Sequence, residues 1–288
     1  MDFSIVTASF NQLNFLRLAV SSVADQKGIS IEHVIQDGGT EGFSEFRSQM
    51  DHAWPNRAEY ERRMDSQPDT GMYDGINRGL KRARGRICGY LNSDEQYLPG
   101  TLATVLDMFE KQPTLDLILG DVLVVKPNGE PICLRKVVLP TIEHTWTCHF
   151  SALTAGIFFR RRLLDEGFLY DTSYRIAADA EWFVRILAAG IKVGYLHQTT
   201  STFTETNHNL GFGKKAKAEA RRLASEAPWW MRWGRIIWLI QHRWRKLITG
   251  GYKSSTFDYQ IYTPSSLQRQ VFHAKRLRTF WPKRIINF

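Results

Sequence analysis

Two acidic centres carry the chemistry that this sequence could perform. In the first, an apolar, β-prone run from Ile87 to Leu91 gives way abruptly to Asn92-Ser93-Asp94-Glu95. The run predicts a strand buried on both faces. The polar residues predict the turn at its carboxyl end, where open α/β sheets bind ligands. A carboxylate there can hold a hard divalent cation, and such a cation can hold a diphosphate. The second centre is Ala177-Ala178-Asp179-Ala180-Glu181-Trp182-Phe183. Trp182, Phe183, Ile186 and Leu187 predict the buried side of a helix, with Asp179 at its amino end and outside the packed stripe. By spacing alone Asp179 reads first as a helix cap, since helix starts favour acidic residues. A proton-accepting role is the alternative, with Glu181 as the in-helix candidate.

The elements that must position these acids follow in order. Phe3 to Phe10 is a near-continuous apolar run with β-branched residues, which predicts a central parallel strand. Leu13, Leu16, Val20 and Val23 then recur at helical spacing, and Ile31 to Ile35 predicts a second strand ending in Gln36-Asp37-Gly38-Gly39-Thr40. A β-α-β opening implies a right-handed crossover and a parallel sheet. Asp37 reads either as a solvated turn residue or as a ligand contact past a strand end. Residues 42–64 predict a helix and a short strand. Asp74 and Asn77 lie on a helix-like run closed by a glycine. Leu115 to Val122 and Lys192 to Gln198 predict further strands, and residues 131–153 an irregular loop.

Two ordered motifs carry a family resemblance. Gln67-Pro68-Asp69-Thr70-Gly71-Met72-Tyr73-Asp74-Gly75-Ile76-Asn77-Arg78-Gly79 is followed by Leu91-Asn92-Ser93-Asp94-Glu95. Together they resemble the nucleotide-sugar region of family 2 inverting glycosyltransferases. The match extends to Thr7-Ala8-Ser9-Phe10-Asn11, to Asp37-Gly38-Gly39-Thr40 and to Tyr174-Arg175-Ile176-Ala177-Ala178-Asp179. Two positions depart mildly: Glu41 stands where the family usually has Asp, and Glu95 where it usually has a further Asp.

The resemblance implies a GT-A-like α/β fold, a mostly parallel sheet flanked by helices, over residues 1–210. It implies sugar transfer from a nucleotide diphosphate to an acceptor hydroxyl, lipid-linked or saccharide, in bacterial surface-polysaccharide assembly. Thr7, Ser9, Asp37, Asp69, Asp74, Arg78, Asn92 and Ser93 would bind the donor, Asp179 would be the general base, and Asp94 with His208 would hold Mg or Mn. Asp69 also reads as an ordinary turn residue and Arg78 as a solvated helix arginine. Two other classes compete: a metal-dependent nucleotidyltransferase, and a non-catalytic protein that binds anionic lipid or nucleic acid. The first needs a basic, Gly-rich triphosphate loop, which VTASFNQLN is not.

Composition bounds the rest. The chain has 288 residues, 43% of them hydrophobic, enough for a core, and carries a net charge of +9. The charge is uneven. Residues 211–288 hold 17 Lys and Arg against 3 Asp and Glu, whereas residues 1–210 hold 21 against 26. The tail therefore predicts a basic helical appendage beginning near Gly211–Gly213, suited to a polyanion. Within it, Trp230, Trp233, Ile237, Ile240, Trp244 and Leu247 share one helical side, with Arg232, Arg235, Arg243 and Lys246 opposite. That pattern describes a helix lying in the plane of an anionic membrane surface, or a homo-oligomer contact. No RNA-binding motif accompanies it, so nucleic acid is not the expected partner. Three cysteines without metal-ligand spacing, an amino terminus that already reads as a strand and no apolar run of about 18 residues predict a cytoplasmic protein, peripheral on the inner face of the cell membrane.

Overall fold

The computed structural model describes residues 1–206 and 213–281. Strands β1 (Phe3–Ser9) and β2 (Ile31–Asp37) are buried along their whole length and pair in parallel across helix α1 (Leu13–Ala24). Helix α2 (Phe43–Ala53) leads to β3 (Tyr60–Ser66), parallel to β2. Helix α3 (Met72–Leu80) then returns the chain to β4 (Ile87–Asn92), on the other side of β1. Glycine makes that return possible. A Cβ on Gly79 would lie 2.4 Å from Val6 Cγ1, and one on Gly85 would lie 2.4 Å from the Phe3 carbonyl carbon. Helix α3 and its exit loop therefore rest directly on β1.

The chain continues through β5 (Glu95–Tyr97), α4 (Thr101–Lys111), β6 (Leu117–Val125), β7 (Pro131–Arg135) and α5 (Ile142–Thr147). Then come β8 (Ile157–Arg160), α6 (Arg162–Asp165), α7 (Ala178–Ala188) and β9 (Val193–Thr204). The sheet order is β3-β2-β1-β4-β8-β6-β9-β5, with β7 on β6. Strands β1 to β4, β6 and β9 run one way, and β5, β7 and β8 run against them. The alternation of side chains along β1 divides the core. Phe3 and Ile5 pack with Leu102 and Val105 of α4, while Val6 and Ala8 pack with Ile76 of α3 and Phe183 of α7.

Three expectations need correction. Residues 131–153 are not an irregular loop, since they form β7 and α5. The strand expected over Lys192 to Gln198 does not end there: β9 continues to Thr204 because Leu98 and Val125 offer backbone partners there. The tail is not wholly helical. Helices α8 (Lys214–Glu226), α9 (Trp229–Trp233) and α10 (Arg235–Ile248) are followed by an antiparallel hairpin, β10 (Ser255–Ile261) and β11 (Gln270–Leu277). The period-2 alternation of Phe257, Tyr259 and Ile261 explains the strand. Tyr259, Ile261, Ala274 and Leu277 pack on Leu123, Val125 and Leu134 of β6 and β7. Leu223 of α8 joins the core beneath α7, and Arg269 pairs with Asp25 of the first crossover.

The apolar stripe of α9 and α10 faces outward. Trp233 is 86% exposed and Trp244 61%, while His242 is buried against α5. Gly234 divides the two helices. Among the described residues no helix is long and apolar enough to cross a membrane.

Candidate active site

The carboxyl ends of β1 and β4 and the amino ends of α3 and α7 surround one cleft of about 610 Å³. β1 contributes Ala8 and Ser9, and the turn after β4 contributes Ser93 and Asp94. The loop before α3 contributes Asp69 and Gly71, and the first turn of α7 contributes Asp179. Asp94 and Asp179, distant in sequence, thus line a common cavity. Among the described residues, Asp69, Asp94 and Asp179 line it and no lysine, arginine or histidine does.

Asp179 is half-buried on the first turn of α7. Its Oδ1 accepts the Ala180 N–H at 2.8 Å. Burial pushes its carboxyl up to about 6, against the opposing pull of backbone N–H groups and the Tyr73 phenol; the Glu219 charge adds to the rise. The cap position is Ala177, not Asp179. The loop N–H groups of Arg175, Ile176 and Ala177 are taken by Glu219 of α8 at 2.8–2.9 Å. A tail side chain therefore fixes the entry to α7, and Asp179 is left to face the cleft. Glu181 pairs with Arg185 at 2.6 Å and does not line the cavity.

The turn after β4 splits its two acids. Asp94 lines the cleft, whereas Glu95 turns into the sheet. Burial first, and the Asp94 charge second, push the Glu95 carboxyl up to about 8. Glu95 accepts the Asn92 N–H at 2.8 Å and so shapes the turn. Ser93 donates to Gln12. Asn92 Oδ1 and Ser9 Oγ, both on residues lining the cleft, are buried without a hydrogen-bond partner among the described residues. The cleft donors beside Asp94 are therefore oxygens, the set that a hard divalent cation accepts.

The other predicted donor contacts are spread over two zones. Asp69 lines the cleft; its Oδ1 accepts the Gly71 N–H at 2.8 Å, and a Cβ on Gly75 would lie 3.1 Å from its Oδ2. Asp37, Thr7, Asp74 and Arg78 do not line it. Asp37 is buried and accepts from the N–H groups of Gly39 and Thr40 and from the hydroxyls of Thr40 and Ser66, at 2.6–2.9 Å. Thr7 hydrogen-bonds His33 at 2.9 Å. Asp74 accepts from Thr70 and pairs with Arg78, which also donates to the Pro68 carbonyl. His208 lies outside the described residues.

Sequence reasoning passed over Tyr73, Phe203, Trp281 and Glu219. Tyr73 stood inside the MYDGIN run, but nothing local marks a cleft-facing phenol. Trp281 belongs to the basic, aromatic tail, and its ring meets Phe203 at 5.3 Å on the cleft wall. A separate cluster, His144, His149 and His242, has ring nitrogens all within 4.8 Å of one another. It does not line the cleft.

Comparison with known proteins decides the family. Residues 4–166, more than half of the chain, match the description Glycosyl transferase family 2. The chain belongs to glycosyl transferase family 2. A PGL/p-HBAD biosynthesis glycosyltransferase of Mycobacterium tuberculosis is 27% identical over 255 residues, covering 86% of this chain and 92% of that protein. Among solved structures, S. aureus TarS 1-349 superposes with a TM-score of 0.60 at 17% identity, covering 88% of this chain and 74% of that one. The complex of TarS 1-349 with UDP-GlcNAc is equally similar, at 16% identity. A mannosyltransferase of Pyrobaculum calidifontis, in complex with GDP-Man and Mn2+, has a TM-score of 0.55 at 15% identity and covers 86% of this chain and 79% of that one. These structural neighbours show the GT-A-type fold. Family membership makes the chain a glycosyltransferase and sets aside the nucleotidyltransferase and non-catalytic readings.

Proposed function

We propose that this glycosyltransferase moves a sugar from a nucleotide diphosphate to an acceptor hydroxyl with inversion at the anomeric carbon. One observation carries the reading: Asp94 and Asp179 line the same cleft, and no basic side chain among the described residues lines it with them. A diphosphate in such a cleft needs a cation that the side chains do not supply. Asp94 would hold a divalent ion, Mg or Mn, whose chemistry is to neutralise charge on the leaving diphosphate; His208 is the second expected ligand. The neighbouring fold with GDP-Man and Mn2+ supports this choice, and the complex with UDP-GlcNAc supports a nucleotide-sugar donor.

Asp179 is assigned the proton. The acceptor hydroxyl has a pKa far above 7, so its oxygen attacks only as its proton leaves. A carboxyl held near 6 is ionised at neutral pH and still basic enough to accept it. Attack from the face opposite the diphosphate breaks the anomeric C–O bond and inverts the centre. Ser9, Asp69, Asn92 and Ser93 line the cleft and would contact the donor. Thr7, Asp37, Asp74 and Arg78 support the loops around it through the bonds described above.

The outward stripe of α9 and α10 supports a membrane-facing orientation and a lipid-linked acceptor, in surface-polysaccharide or glycolipid assembly. An exposed apolar stripe on a basic tail suits anionic lipid at the inner face of the cell membrane. The relative named for PGL/p-HBAD biosynthesis points the same way.

The test is a panel of nucleotide sugars scored for release of free nucleotide diphosphate, with Mg or Mn and again with chelator. NMR of the product reads the anomeric configuration. Release with one donor, lost with chelator and giving the inverted product, is the expected result. Retention of configuration, or full turnover in chelator, would overturn the mechanism.

A further inference from the structure

A second cavity, of about 230 Å³, lies between β7 and α10, away from the cleft. Its lining includes Arg135, Lys136, Arg243 and Lys246, together with His149 and His242, and no carboxylate. Several arginines elsewhere in the chain pair with acids. Arg62 meets Asp51, Arg63 and Arg84 meet Glu32, Arg162 meets Asp116, and Arg269 meets Asp25. Among the described residues, none of the four cations of this cavity is within ion-pair distance of an acid.

Two of the four, Arg135 and Lys246, are also half-buried. Burial lowers the readiness of the Arg135 guanidinium to hold its proton, and burial together with Arg135 does the same to Lys246. Lys246 Nζ reaches only the Thr279 carbonyl, at 3.2 Å, and the face of the Tyr252 ring. Behind the wall, His144 is 1% exposed, and among the described residues neither of its ring nitrogens has a hydrogen-bond partner. It stacks on His242 at 4.0 Å. Partly desolvated like charges gathered in one cavity are costly unless a ligand of opposite charge completes them.

We infer that this cavity is a phosphate-binding site. Four cations without an acid match a dianion better than a carboxylate, and a phosphomonoester carries close to two charges at neutral pH. Arg135 supplies a planar fork for two phosphate oxygens, and the two lysines supply point charges. The imidazoles of His149 and His242 add N–H donors. The phosphate comes either from a soluble compound or from a lipid headgroup. The second source is suggested by α10 itself, which turns His242 and Lys246 toward the cavity and Ile237 and Trp244 toward solvent. A zinc-type cation on His144, His149 and His242 is the competing occupant. The stacked, parallel rings of His144 and His242 and the four cations around them disfavour it. The inference does not depend on how the cleft is read.

Thermal melts of the full chain test it, with inorganic phosphate replacing chloride at fixed ionic strength. Phosphate is expected to raise the melting temperature of the wild type in a saturable way. Arg135→Met, which removes a half-buried charge with no acid partner among the described residues, is expected to melt no lower than wild type in chloride and to lose the phosphate response. Arg243→Gln, at an exposed position, is expected to lose at least about half of it and keeps the test valid if Arg135→Met misfolds. Flotation with phosphatidylcholine vesicles, with and without phosphatidic acid, separates the sources. Phosphatidic-acid-dependent flotation that both variants lose assigns the headgroup. Unchanged flotation with a lost phosphate response assigns a soluble compound. A phosphate response identical in wild type and both variants would overturn the site. So would stabilisation by equimolar zinc, lost in His242→Gln, with none by phosphate.

Discussion

Asp179 shows how one side chain trades stability for reactivity. Its folded-state carboxyl is raised to about 6 from an ordinary value near 4, chiefly by burial. The folded protein therefore binds this proton more tightly than the unfolded chain. The raised value costs stability as pH climbs through the window between the two values, on the order of 1–2 kcal/mol above it. Asp179→Asn is expected to lower kcat by about 10²–10⁴, to leave donor affinity within about twofold, and to melt higher than wild type at pH 7.5. Steady-state kinetics, donor titration and calorimetry check the three parts. In the wild type, kcat/KM should rise with pH up to about 6 and then level, because the base must be ionised. A profile flat from pH 5 to 8 would contradict the assignment. Asp94 makes the complementary case. Asp94→Asn should weaken donor binding in Mg or Mn by about tenfold or more and abolish the difference between metal and chelator, as read by nucleotide titration.

At the scale of elements, the decisive contact is between α8 and the entry to α7. Glu219 accepts three consecutive backbone N–H groups there. Charge-assisted bonds of this kind hold a loop in one conformation. Glu219 also raises the Asp179 carboxyl through its charge. It is a positioning residue, so its loss should show in two ways. Glu219→Ala is expected to lower kcat by roughly tenfold with a smaller change in KM, since three consecutive loop donors lose their common acceptor. It should also move the ascending limb of the pH profile to lower pH, because a nearby negative charge is gone. A purely structural loss would lower activity at every pH without moving that limb. Glu219→Gln, which retains an acceptor oxygen without the charge, should restore part of kcat while keeping the shifted limb.

For the whole molecule, the tail cannot be treated as a detachable extension. Leu223 belongs to the main core, the β10–β11 hairpin packs on β6 and β7, and Trp281 lines the cleft. The membrane role is therefore better tested on the intact chain than by truncation. Trp233→Gln, Ile237→Gln and Trp244→Gln combined remove three exposed apolar side chains, 86%, 62% and 61% accessible. The combined variant should keep the wild-type melting temperature within about 2 °C, because exposed sites contribute little to stability. It should float with anionic vesicles at least tenfold less than wild type, roughly the loss expected from three buried aromatic and aliphatic groups. Wild-type flotation should itself fall as salt is raised, since the tail charge is screened. Equal flotation of both proteins would remove the membrane role. A concentration-dependent dimer present only in the wild type would reassign the stripe to a second copy of the chain.

Local sequence determined the strands and their acidic ends. Continuous apolar runs such as Ile87–Leu91, followed by polar turns, fold much the same wherever they are buried, and the order of the motifs placed the chain in its family. Short-period alternation also existed in Phe257, Tyr259 and Ile261, but the stronger helical stripe before it drew the whole tail into one reading. What only the tertiary structure decided depends on contacts between distant residues. Asp94 and Asp179 line one cleft because α7 packs against the sheet that contains β4, a fact that no spacing encodes. Glu95 and Asp94 are neighbours with opposite fates because one side of the turn faces the sheet and the other the cleft. Glu219, an ordinary acid on a charged helix, acquires its role only where α8 docks, and α9 and α10 turn Trp233 and Trp244 outward because the His242 and Lys246 side finds the domain. Burial and charge are properties of these surroundings, so the sequence supplies the groups and packing sets what each can do.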